Sequence, residues 1–171
     1  MHQRQAVFTV PTAPDVVWRF IRDFESLCAC IPGVEQLQRV NDTTAKMTVV
    51  EKVGVVPLRV NLTACIDAED PPHSLHAVAT AEHVDVEIDV SLRAIGTGTE
   101  LTSSVKVVGR GPLKPIVDRL FERRATEKTE EFAQVLEARF GAASKSETPR
   151  QSSEGLFARL WRRLIGWLGF R

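Results

Sequence analysis

The sequence predicts an α+β domain in which one antiparallel sheet wraps around a single long C-terminal helix. Two stretches, 56–66 and 84–92, alternate apolar and polar residues, the mark of strands with one wet face and one covered face. Turn-forming residues punctuate the chain between them and on either side. Residues 114–140 then open at Pro112 and Pro115, carry a helical apolar stripe, and close at Gly141.

Taken in order, residues 4–10 read as a short strand that Pro11 and Pro14 stop. Asp15 falls in the opening turn of a helix whose apolar positions are Val16, Val17, Phe20 and Ile21. A second short helix, 24–30, ends at Ile31-Pro32-Gly33, where Pro and Gly forbid continuation. Turn signals at Asn41-Asp42, Gly54, Asp70-Pro71-Pro72 and Gly96-Thr97-Gly98 divide a long β region into six strands. In 56–66 one face carries Val56, Leu58, Val60, Leu62, Ala64 and Ile66, and the other Arg59, Asn61 and Thr63. In 84–92 the covered set is Val84, Val86, Ile88, Val90 and Leu92, alternating with Asp85, Glu87, Asp89 and Ser91. The cover is the helix at 114–140, about 40 Å long, with Ile116, Leu120, Phe121, Phe132, Val135, Leu136 and Phe140 along its stripe. Its centre, 122–131, has Ala125 as its one apolar residue.

The chain has 171 residues, 22 Lys plus Arg and 22 Asp plus Glu. That length suits one core with a tail, and zero net charge excludes a nucleic-acid binder that works by bulk charge. The balance is uneven, since the charged residues after Glu154 are four arginines, 159, 162, 163 and 171. Three Cys are too few for a disulfide scaffold. A signal-peptide core and an apolar run long enough to span a bilayer are missing, so a cytoplasmic location is expected. Glycine-rich phosphate loops, H-E-x-x-H and G-x-S-x-G are absent, and there is no Tyr.

Three segments result: 1–140 as a ligand-binding domain, 141–155 as a disordered linker of Ser, Gly, Pro and charge, and 156–171 as a basic amphipathic helix. On a helical wheel Leu156, Phe157, Leu160, Trp161, Leu164, Ile165, Trp167 and Leu168 share a half-circle, and Arg159, Arg162 and Arg163 oppose them. Such a segment lies in an anionic interface: it is about 24 Å long, and its arginines bar it from a bilayer core about 30 Å thick.

Between sheet and helix, small residues face small ones. Leu75, Ala77, Ala79 and Ala81 share a face, Ala64 and Ser103 point the same way, and the helix presents Ala125 and Thr129. A close-packed interior sets large side chains against small, so this pattern predicts an apolar pocket. The histidines (2, 73, 76, 83) have no ligand spacing and read as solvated. Cys28 reads as incidental and Cys30 as packing. Arg124 and Lys128, one helical turn apart, could meet a ligand carbonyl.

Phe8-Thr9-Val10-Pro11, then Val17-Trp18 and Phe20, then Ala29-Cys30-Ile31-Pro32-Gly33-Val34-Glu35 form a recognisable pattern. It resembles the CoxG-like family of carbon monoxide dehydrogenase proteins, members of the START/Bet v 1-like (SRPBCC) superfamily, over roughly residues 4–140. The resemblance implies a helix-grip fold with a lipophilic cavity. It also implies a role beside a molybdenum CO dehydrogenase-type enzyme, in quinone delivery, membrane recruitment or assembly. The covered face offers no His, Asp or Tyr and, apart from Glu51, no acid for acid–base work, so no catalysis is expected. The residues expected to line the cavity are Leu27, Ile31, Leu58, Val60, Leu62, Ala77, Ala79, Val86, Ile88, Val90, Val105, Ile116, Leu120 and Arg124. Menaquinone or ubiquinone is the expected ligand. Membrane lipids at the inner face and the molybdoenzyme are the expected partners, with neither nucleic acid nor metal. An assembly factor without ligand and a cyclase-like enzyme of the same fold are the rival expectations.

Overall fold

The computed structural model describes residues 2–29, 31, 33–53, 55–141 and 144–148. The chain runs β1 (His2–Val10), α1 (Pro14–Arg22), α2 (Phe24–Cys28), β2 (Val34–Arg39), β3 (Thr44–Val53), β4 (Val56–Asp70), β5 (Ser74–Thr80), β6 (Val84–Ile95) and β7 (Gly98–Gly109). A 3-10 turn, Gly111–Leu113, leads into α3 (Lys114–Phe140), and β8 (Ser144–Thr148) comes last. The strands form one antiparallel sheet in the order β2-β3-β4-β5-β6-β7-β1-β8. The expected wrapped sheet and its long helix are both present, and α3 has the bounds read from the sequence.

Two expectations are corrected. The second helix stops at Cys28, because Asp23 caps only a short helix and the chain then turns through Gly33 at φ 92°. Part of the stretch read as a disordered linker is strand β8, paired with β1 from Gln5↔Thr148 to Thr9↔Ser144. The reason is the sheet edge: β1 would otherwise present unpaired backbone groups, and the stretch SKSET has no Gly or Pro to prevent pairing.

The core is concentrated at one end of the sheet. Phe8, Val10, Val17, Leu101 and Leu136 are at most 1% exposed, and Trp18, Phe20, Ile21, Ile66, Leu75 and Leu92 join them. The amphipathic helix α1 begins with Pro14 and Asp15 in its first turn, where a missing N–H and a negative charge both suit the helix start. From α3 only the last turns enter this cluster. Phe132 meets Phe8 edge to face at 5.4 Å, and Phe140 meets Phe20 at 5.5 Å. Cys28 is buried here too, so it is a packing residue and not incidental; burial, reinforced by Asp23, raises its thiol pKa and keeps it protonated.

At its start, α3 approaches β7 closely. A Cβ at Gly109 would stand 2.8 Å from Val117 Cβ and 3.0 Å from Lys114 Cα, so only glycine lets this turn settle on the strand. The outer face of the sheet carries the ion pairs Asp85–Arg110, Glu87–Lys106 and Arg93–Glu100, with a hydrogen bond between His76 Nδ1 and Asp89.

Leu136→Ala should cost about 2–5 kcal/mol, read as a lower urea midpoint with unchanged slope, since the site is closed on every side. Ser26 holds the Asp23 carboxyl below the usual value of 3.8, by hydrogen-bonding from its side chain and from its backbone N–H, the latter at 2.9 Å. Its depressed folded-state pKa makes this contribution full above the unfolded pKa and lost as pH falls through the folded one. Asp23→Ala should therefore cost about 1 kcal/mol at neutral pH, and the gap to the native chain should close in acid unfolding series as pH drops below 3.8.

Candidate functional site

Cross-strand register decides which side chains face α3. Ala6, Phe8 and Val10 face the core on β1, and their partners on β7 are Ser103, Leu101 and Thr99. Following the pairing outward gives rows across the inner face: Ser103, Val90 and Leu75; then Val105, Ile88 and Ala77; then Val107, Val86 and Ala79. On β4 the same face carries Ala64 and Ile66, and farther along Leu62, Val60 and Leu58, opposite Met47, Val49 and Glu51 of β3.

These rows are unequally covered. Toward the packed end they are sealed by α1 and the last turns of α3. Toward the other end Leu58, Val60, Leu62, Val86, Ile88 and Val105 remain half-buried, as do Ile116, Leu120 and Phe121 of α3. The helix lies against β1 and β7 and makes few contacts with the β3–β6 side of the sheet. Apolar side chains that face a helix and still reach solvent are incompletely covered by it.

The expected cavity residues therefore separate. Leu58, Val60, Leu62, Val86, Ile88, Val105, Ile116 and Leu120 surround the open end. Leu27, Ala77 and Val90 are half-buried where that end meets the core, and Ala79 is buried. Ile31 sits in the turn before β2 and is 37% exposed. Cys30 and Pro32 of the same motif, and the segment 156–171, lie outside the described residues.

Arg124 enters a charged seam. Its Nη1 is 3.9 Å from Glu51 Oε2 and 3.6 Å from Glu127 Oε2, while Lys128 Nζ is 3.2 Å from Glu51 Oε1 and 3.7 Å from Glu131 Oε2. Glu51 thus links the β3 arm to the middle of α3, the part of the helix without an apolar stripe. At side-chain exposures of 25–37% for Glu51, Arg124 and Lys128, such pairs hold weakly.

Arg4 continues the inner-face alternation of Ala6, Phe8 and Val10 on β1 and is half-buried, a position the sequence analysis did not single out. The face opposite has an open groove of about 440 Å³ among polar residues including Gln5, His76, Asp89 and Ser104. Among the described residues no group of three or more His, Cys, Asp or Glu is placed to hold a metal.

Residues 7–141 match the family model of carbon monoxide dehydrogenase CoxG proteins. No curated protein matches the chain significantly. Solved structures share the fold at low identity. A conserved protein from Geobacillus kaustophilus has TM-score 0.67 and 17% identity, over 84% of this chain and 99% of that one. A START superfamily protein from Mycobacterium smegmatis has TM-score 0.62 and 19% identity, over 82% and 97%. The Zhui aromatase/cyclase of a Streptomyces species has TM-score 0.57 and 15% identity, over 81% and 96%. At these identities the likeness establishes the fold alone.

Enlarging a side chain should separate the two ends of the sheet. Ala6→Phe, in the closed core, should cost about 1–3 kcal/mol, whereas Val105→Phe, among half-buried side chains, should cost under about 1 kcal/mol. Equal losses in urea unfolding would mean that both ends are equally packed.

Proposed function

Since the chain belongs to the CoxG family of carbon monoxide dehydrogenase proteins, we propose that it is a non-catalytic carrier of a lipophilic molecule, an isoprenoid quinone such as menaquinone or ubiquinone. It holds this molecule between sheet and α3, docks on the inner membrane face through 156–171, and serves a CO dehydrogenase-type molybdoenzyme by quinone delivery or recruitment. The observation that carries the reading is the half-burial of apolar side chains at one end of an otherwise closed sheet–helix sandwich. An isoprenoid quinone offers an apolar chain and a flat ring with two acceptor oxygens, a match for an apolar space with few polar groups.

The membrane part rests on the tail sequence, and two features of the fold support it. Strand β8 runs from beside Thr9 to beside Gln5, toward the open end, so the chain beyond Thr148 sets out from that side. At the β3–β4 turn Val55 is 100% exposed and Val56 62% exposed, next to the exposed Lys52, a small apolar and basic tip. No helix among the described residues is long and apolar enough to cross a membrane.

Two measurements test the reading. Native mass spectrometry and organic extraction of the full chain should find an isoprenoid quinone; protein that never carries one, and binds none added, would leave the assembly role instead. The full chain should also sediment with anionic vesicles, less so as salt rises. Reversing Arg159, Arg162 and Arg163 to Glu should weaken this at least about a hundredfold, at about 1 kcal/mol per charge removed near the surface. Undiminished sedimentation would rule out the tail as the anchor.

A further inference from the structure

Among the described residues six large apolar side chains are exposed, Val16, Ile31, Val40, Val55, Val56 and Ile95. Single apolar residues on a surface are ordinary, and three of these stand apart: Val16 on α1, Val40 after β2 and Ile95 at the end of β6. The other three gather at one place. Val55 and Val56, 100% and 62% exposed, lie at the β3–β4 turn. Ile31 belongs to the turn that is tied to β3 by the Val50 N–H, which donates to the Gly33 carbonyl at 2.7 Å.

Val56 is also the outermost member of an apolar track. Along β4, Val56, Leu58, Val60, Leu62, Ala64 and Ile66 share the face toward α3. Exposure falls steadily along this set, from Val56 through the half-buried Leu58, Val60 and Leu62 to Ala64 and Ile66 at 8%. The exposed tip and the inner face are therefore one surface. A lipophilic molecule can follow it from outside to inside without leaving apolar side chains.

Size and charge indicate what covers the tip. Two valines and an isoleucine offer far less than the roughly 800 Å² per partner of a stable protein–protein interface. A projecting turn needs no shaped pocket in a fluid lipid surface. Lys52, exposed beside the turn, suits anionic head groups. The neighbouring acids do not oppose them, since Glu35 pairs with Arg59 at 2.6 Å and Glu51 with Lys128 at 3.2 Å. Successive antiparallel pairings also assign the tip to the same end of the sheet as Thr80, Val84, Gly109 and Thr148, the end from which β8 releases the chain.

We infer that the β3–β4 tip is a second lipid contact, with Val55 and Val56 entering the bilayer surface and Lys52 at the head groups, so that the track along β4 opens directly onto lipid. This rests on the membrane part of the proposed function and adds to it the orientation of the folded domain. A ligand then passes between bilayer and inner face without crossing water.

The test is sedimentation of the full chain with vesicles of phosphatidylcholine and phosphatidylglycerol. Val55→Ser combined with Val56→Ser removes apolar surface and no charge, and should weaken binding by about tenfold. The loss should persist as salt rises, because burial of apolar surface is not screened. Val40→Ser combined with Ile95→Ser, at the opposite ends of their strands, should change binding by less than about twofold. Circular dichroism and the urea midpoint check folding; should the double variant fail, Val55→Ser alone, at a fully exposed site, should still weaken binding by about threefold. If the native chain does not sediment with the vesicles, the membrane reading itself fails. If it does, and the tip variant sediments equally or the control variant loses as much, docking stands and the role of the tip is overturned. If the tip variant instead turns dimers into monomers without vesicles, the tip is a contact between copies and the inference falls.

Discussion

The fold depends on a clamp at one end of α3. Phe132, Leu136 and Phe140 are fastened to β1, β7 and α1 by apolar contact, with Phe8 and Phe20 as the aromatic partners. Fully burying Leu136 contributes roughly 1.5–3 kcal/mol and the half-buried Phe132 and Phe140 somewhat less each, which makes this end the anchor for everything else. Past the clamp, the helix is held near its start by the close fit over Gly109 and by His2 against Asp118 and Phe121. Between those two fixings it has no comparable hold on the β3–β6 side.

This arrangement accounts for the composition of the helix centre. A helix packed on the sheet along its whole length would need an apolar stripe along its whole length. Here the stripe is interrupted over 122–131, opposite half-buried apolar side chains, and charged residues take its place. Glu51 then connects β3 to the helix through water-accessible ion pairs, which separate at small cost. Such a seam adds little stability beside the apolar clamp, so the two ends of the helix are held with unequal strength.

Much of this was legible in the residues. The alternation in 56–66 and 84–92 named the inner face correctly, because a period of two leaves no ambiguity when one face is apolar and the other charged. Pro115 and Gly141 bracketed α3 for equally local reasons. The division into a packed and an open end was not legible, since Ala77 and Val86 look alike in sequence. What separates them is their distance from α1 along the strands, a tertiary quantity. Strand β8 was missed because five polar residues have no apolar period; what makes them a strand is the free edge of β1.

That edge pairing also governs where the chain is delivered. Each residue of strand advances about 3.4 Å, so β8 carries the backbone from the clamped end back toward the open one by about 14 Å. Its register is anchored by backbone bonds and not by an apolar face, and such strands can slide. A shift by two residues would keep every side chain on its own face and move the point of departure by about 7 Å. Insertions or deletions around Gly141 would therefore shift β8 along β1 in such steps, without disturbing the helix, the seam or the inner face.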